Sequence, residues 1–185
     1  MFFSLHRLSK IRPLLNQSAT EKLVHAFVTS RLDYCNSILY GCPESQLKKL
    51  QSIQNSAARL VTRTRKRECI TPILYNLHWL PIKYRIIFKL LLIVYKILAN
   101  QAPLYLTDFI EVYVPGRADL RSANSDLFLL KRQDTRLTNK TYGWRAFNVC
   151  APLLWNELPL FLRQSENINI FKRNLKTHLF KQCYM

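Results

Sequence analysis

Four cations occupy five consecutive positions at Arg63-Thr64-Arg65-Lys66-Arg67, the densest charge in the chain. Guanidinium and ammonium groups at that density attract phosphate oxygens, and such contacts hold a nucleic-acid backbone without reading its bases. Lys48, Lys49 and Arg59 precede the cluster; Lys83, Arg85 and Lys89 follow it. If the helices carrying them align their basic faces, these residues form a positive surface on the scale of a groove. Two plainer readings stand beside this one. Cations stabilise the C-terminal end of a helix dipole, and short basic runs are commonly solvated or serve as nuclear-import signals. Four cations in five positions exceed what a helix end needs.

Other chemistries find few of their parts. Nucleophilic catalysis needs a nucleophile, a base and an orienting group, but His6, His25, His78 and His178 are scattered and none sits in a motif such as GxSxG. A structural zinc site announces itself with two close ligand pairs. Here eight residues separate Cys69 from His78 and four separate His178 from Cys183, and neither pair makes a site. Two-metal phosphoryl transfer needs clustered carboxylates; Asp108 and Glu111 share a face at i, i+3 with nothing nearby to complete it. Only three glycines occur, Gly41, Gly116 and Gly143, so neither GxGxxG nor GxxxxGK[ST] can be written. The expectation is a non-catalytic chain with no metal and no cofactor.

The charge balance sharpens this. The chain of 185 residues has 28 Lys and Arg against 11 Asp and Glu, a net charge of +17. From Ser45 to Thr107 eleven cations face one acid, Glu68, whereas residues 108–185 hold twelve cations and seven acids. A surface this basic calls for a polyanion, nucleic acid or an acidic membrane face. Five cysteines with no CxxC pair point to free thiols in a reducing compartment. The first residues meet Arg7 too early for a secretory signal, although Arg, Ser and the lack of an acid before Glu21 also fit a transit peptide. The apolar stretch Ile82–Leu98 contains Lys83, Arg85, Lys89 and Lys96, which argues against a membrane span. The expected location is intracellular, cytoplasmic or nuclear, with no membrane partner.

Helices must position these side chains. Ser18-Ala-Thr-Glu21 reads as a capping box. Leu23, Val24, Phe27, Val28, Leu32, Cys35 and Leu39 then give a helix over about 19–40, stopped by Gly41 and Pro43. A second helix starts near Pro43-Glu44, buries Leu47, Leu50, Ile53, Ala57 and Leu60, and runs out around Thr62. A short helical turn follows Thr71-Pro72, and Leu80-Pro81 opens a long, central helix through about Ala99. Ala102–Glu111 is a further short helix. At about residue 115 the character changes: residues 117–126 and 132–140 are polar, and 127–130 reads as a short strand. Two more helices are expected, one over Trp144–Phe161 interrupted by Pro152, the other after Ser165 or Asn167 burying Ile168, Phe171, Leu175 and Leu179. Trp79, Trp144 and Trp155 lie among Leu and Pro and read as core anchors. The fold class is mainly α: a helical bundle over 1–114, then a smaller mixed helical and loop region over 115–185.

Several blocks are familiar in one order. They are residues 30–41 (SRLDYCNSILYG), 50–61 (LQSIQNSAARLV), 70–74 (ITPIL), 77–81 (LHWLP), 84–89 (YRIIFK), 102–106 (APLYL), 120–122 (LRS), 151–159 (APLLWNELP) and 171–180 (FKRNLKTHLF). The set resembles the region downstream of the catalytic palm in non-LTR (LINE-type, CR1/jockey-like) retrotransposon reverse transcriptases, and it spans nearly the whole chain. The resemblance implies descent from an RNA-directed DNA polymerase whose chemistry belongs to palm aspartates preceding this region. No Tyr-x-Asp-Asp-type motif occurs here, so the resemblance does not carry the activity over. What it implies is a thumb plus C-terminal region, a fragment of an element, whose basic side holds RNA, DNA or their hybrid and whose other partner is the palm and fingers of the same element. The competing expectation is a helical interaction or scaffold module that docks apolar faces on another protein.

Overall fold

The computed structural model describes residues 2–113, 129–131 and 143–185. The fold is mainly α-helical, as expected. In chain order the helices are α1 (Phe2–Ile11), α2 (Gln17–Val24), α3 (Ser30–Asp33), α4 (Glu44–Thr62), α5 (Thr71–Asn76), α6 (Ile82–Leu98), α7 (Phe147–Asn156), α8 (Leu160–Arg163) and α9 (Ile168–Tyr184), with short 3-10 turns between some of them. Two compact units are present. One comprises Met1–Ile86 with Leu179–Met185, the other Ile87–His178. The domain boundary expected at about residue 115 lies outside the described residues, as do the polar stretches on either side of 129–131.

In the first unit α1 buries Leu5 and Leu8, and Arg12, one turn further on, is buried with them. The start of α2 corrects the sequence reading. Its N-cap is Asn16, whose side-chain oxygen accepts the Ala19 N–H at 2.7 Å. Asn caps as well as Ser, and starting at Gln17 leaves Ser18 already inside the helix. The helix also does not reach residue 40. A π turn at His25–Thr29 inserts between α2 and α3. Val24, Val28 and Leu32 are buried, while Phe27 and Cys35 of the expected stripe are exposed. Tyr34 is then extended and Cys35 left-handed at φ 50°, which ends the run.

Helix α4 has the expected bounds but a rotated face. Ile53 and Ala57 are buried as expected, together with Gln54, Ala58 and Val61, while Leu47, Leu50 and Leu60 are only half-buried. Gln54 can be buried because its amide donates to the Leu80 carbonyl at 2.8 Å, so no polar group is orphaned. The last turn of α9 closes the unit: Tyr184 Oη donates to the carbonyl of buried Trp79 at 2.6 Å, and Phe180 packs on Tyr75 and Tyr184.

The second unit is built on aromatic packing. Tyr95 of α6 stacks on Phe171 of α9 at 4.4 Å between ring centroids, and Trp155 of α7 meets the same ring at 5.8 Å. Of the expected α9 stripe, Phe171 and Leu175 are buried in this unit, Ile168 is half-buried, and Leu179, also buried, belongs to the first unit. Pro152 does not interrupt α7. It is buried inside the helix, which gives up one backbone bond for its missing N–H and ends instead at Asn156, ahead of Pro159. Among the described residues the one extended pairing is an isolated antiparallel bridge, Val112 with Leu130. Asn156 acts as a second strand beside it: its amide oxygen accepts the Leu130 N–H and its amide nitrogen donates to the Leu130 carbonyl, both at 2.8 Å. Two residues of the strand expected at 127–130 lie outside the described residues.

Candidate nucleic-acid interface

Helix α4 carries basic residues along its length and delivers the chain into the cationic turn. It ends at Arg63, which is left-handed at φ 56°; its N–H bonds back to the Arg59 carbonyl, and the Thr64 N–H does the same at 3.2 Å. This is a helix C-terminus closed by a residue other than glycine. The following turn is held by Glu68, the acid singled out in the basic stretch. Its carboxylate accepts the Arg65 N–H at 3.0 Å, its own N–H donates to the Arg65 carbonyl at 3.2 Å, and Arg59 Nη2 donates to its carbonyl at 3.2 Å. Arg59, Arg65 and Glu68 are thereby drawn together. The Arg59 Nε is buried and has no hydrogen-bond partner among the described residues. Arg63, Arg65, Lys66 and Arg67 are all exposed.

The remaining candidate cations divide into free and committed groups. Lys48 and Lys49 are exposed on α4; Lys48 lies 3.7 Å from Glu44, but both side chains are so open to water that the pair contributes little. Lys83 is exposed in the first turn of α6. A chain of amides fixes that turn against α4. The Ile82 N–H donates to the Gln51 side-chain oxygen at 2.9 Å, and the Gln51 amide donates to Gln54 at 3.0 Å and Asn55 at 2.8 Å. Arg85 is half-buried and its guanidinium forks onto Asp33, with Nε to Oδ1 at 2.8 Å and Nη2 to Oδ2. Its charge is matched by a carboxylate and adds little to the surface field. Lys89 is exposed and belongs to the second unit.

Arg12 is the residue that pattern reading missed. It is 8% exposed and holds the end of α4: Nε donates to the Leu60 carbonyl and Nη2 to the Val61 carbonyl, each at 2.8 Å, and Nη1 to the Leu15 carbonyl at 2.7 Å. Arg63 Nη2 in turn donates to the Arg12 carbonyl at 3.3 Å. Burial, and then the neighbouring Arg63 charge, push the Arg12 pKa below its ordinary value, yet a guanidinium starts high enough to stay charged. One signal was available: Leu5, Leu8 and Arg12 share the i, i+3, i+7 spacing of a buried stripe.

The other chemistry-bearing groups stay apart. No three His, Cys, Asp or Glu side chains gather where a metal ion could sit among the described residues. The buried Cys150 thiol is pushed up to about 11 by desolvation, which keeps it protonated at neutral pH. No helix among the described residues is long and apolar enough to cross a membrane. No protein-family model, curated protein or solved structure matches this chain.

Proposed function

We propose that this chain binds the backbone of nucleic acid through the first unit's basic surface, and that it descends from the thumb and C-terminal region of a LINE-type retrotransposon reverse transcriptase without a nucleotide-joining centre of its own. The observation that carries the reading is the turn after α4. Four cationic side chains project from a helix end that buried Arg12 and the Glu68 turn hold in place. Because the backbone of the turn is already held, phosphate binding orders the exposed side chains alone and not the loop that carries them. The ligand is RNA, DNA or their hybrid, held without base preference.

The test is a salt titration of binding to single-stranded oligonucleotides of unrelated sequence. Engagement of about four phosphates predicts a slope of log K against log salt of about −3, equal for the different sequences. Salt-independent binding, or none, overturns the reading. Primer extension with Mg²⁺ is expected to give no incorporation, and incorporation by this chain alone contradicts the non-catalytic part.

One observation favours a second reading, a protein-interaction module. Leu104, Tyr105, Phe109, Val112 and Tyr113 are all exposed along one short segment of the second unit. Light scattering separates the two: oligomers indifferent to added RNA favour the interaction module, and assembly that follows RNA favours the first reading.

A further inference from the structure

We propose that Arg12 is a positioning residue for the basic turn: a full cation buried under the end of α4 reverses the sign of that helix terminus, so that Arg63, Arg65, Lys66 and Arg67 are offered to phosphate. The inference rests on the nucleic-acid reading and adds a residue outside the exposed surface to it.

The argument starts from the helix end. The last carbonyls of an α-helix have no partner within it and carry about half a negative charge between them. Such an end repels phosphate and attracts the cations that follow it. Here the Arg59 carbonyl is closed by two backbone N–H groups, and the Leu60 and Val61 carbonyls are taken by Arg12. Among the described residues no carboxylate pairs with Arg12. Its positive charge is therefore answered by backbone carbonyls, those of Leu60 and Val61 at the helix end and of Leu15, and a whole charge outweighs the half that the helix end carries. The turn cations find those two carbonyls already occupied. In keeping with this, the side chains of Arg65, Lys66 and Arg67 make no hydrogen bond or ion pair among the described residues, and Arg63 reaches only the Arg12 carbonyl.

A purely structural cap would serve stability alone, and the two roles separate experimentally. Arg12→Gln removes the charge and keeps a donor; Arg12→Lys keeps the charge and loses the fork. Both are made in the full chain, checked for folding by circular dichroism, and titrated with a single-stranded oligonucleotide over a salt series. Both are expected to lower Tm. The Gln chain is expected to flatten the slope by about 0.7 or more, the equivalent of one phosphate on single strands, while the Lys chain keeps the parent slope. A folded Gln chain with the parent slope makes Arg12 a cap and nothing more, overturning the proposal while the nucleic-acid reading stands. If the parent itself shows no salt dependence, that reading falls and this one with it. Should the Gln chain fail to fold, pH supplies the contrast. An ammonium buried beside Arg63 sheds its proton as pH rises towards about 10, whereas a guanidinium does not. The Lys chain's slope should then flatten relative to the parent's, and parallel slopes overturn the proposal.

Discussion

The two units spend their polar residues differently. In the first, guanidinium and amide groups are load-carrying parts of the interior: Arg12 closes the end of α4, Gln51 and Gln54 fix α4 to the start of α6, and Arg85 is held by Asp33. In the second, the interior is aromatic and aliphatic, centred on Tyr95, Trp155 and Phe171. The contrast teaches that total charge overstates the cations available to a ligand. Of those in the basic stretch, Arg85 is matched by a carboxylate, and the turn from Arg63 to Arg67 is what remains both clustered and exposed.

The comparison breaks if a core change in the second unit alters ligand binding. Trp155 is 1% exposed and packs on Phe171. Trp155→Ala is expected to cost about 3–5 kcal/mol of stability by urea denaturation. The salt slope of nucleic-acid binding should not change under conditions where the variant stays folded. A changed slope would place part of the interface in the second unit.

A smaller effect follows from Cys150, whose thiol is raised from 9.0 to about 11 by burial. The unfolded chain ionises this thiol first, so it binds fewer protons than the native chain between those values. Stability is therefore intact below pH 9 and declines as pH rises through the window to 11. The loss from this one group is roughly 2–3 kcal/mol at full ionisation. Buried Tyr95 and half-buried Tyr184, also raised by desolvation, act in the same direction. Cys150→Ala should shrink the alkaline loss measured by chemical denaturation; an unaltered pH profile would remove the thiol from the account.

The smallest change sharpens the comparison inside the first unit. Glu68 is the one acid in the basic stretch, and its carboxylate sits in the cationic turn. Glu68→Gln keeps an oxygen for the Arg65 N–H and deletes the negative charge. Affinity for a single-stranded oligonucleotide at low salt is expected to rise several-fold, which corresponds to about 1 kcal/mol, a surface-charge effect. A fall in affinity would show that the turn's shape matters more than its charge.

Much of the fold was legible because apolar residues repeat at helical spacing over long runs. The starts of α4, α6 and α9 follow from that pattern together with Pro43, Pro81 and the polar stretch before Ile168. The departures share a cause. The π turn at His25–Thr29 shifts the phase of a stripe that a fixed period extends to Leu39. Gln54 and Arg12 are buried by partners 26 and 48 or 49 positions away, and a polar side chain in a sequence carries no mark of such a partner. The same holds for the site. The dense cluster at 63–67 is visible as charge, whereas the neutralisation of Arg85 depends on Asp33, 52 residues earlier. Pro152 stays inside α7, where burial of its ring outweighs one lost hydrogen bond, a balance that local helix-breaking propensity does not contain.

Reversing the charge of Arg63, Arg65, Lys66 and Arg67 to Glu, in the chain that otherwise keeps Lys48, Lys49, Lys83 and Lys89, tests the central claim most directly. The measurement is the dependence of oligonucleotide affinity on salt. A collapse of the slope from about −3 towards zero is the result expected if these side chains hold the phosphates. A folded variant that retains the parent slope and affinity would contradict it.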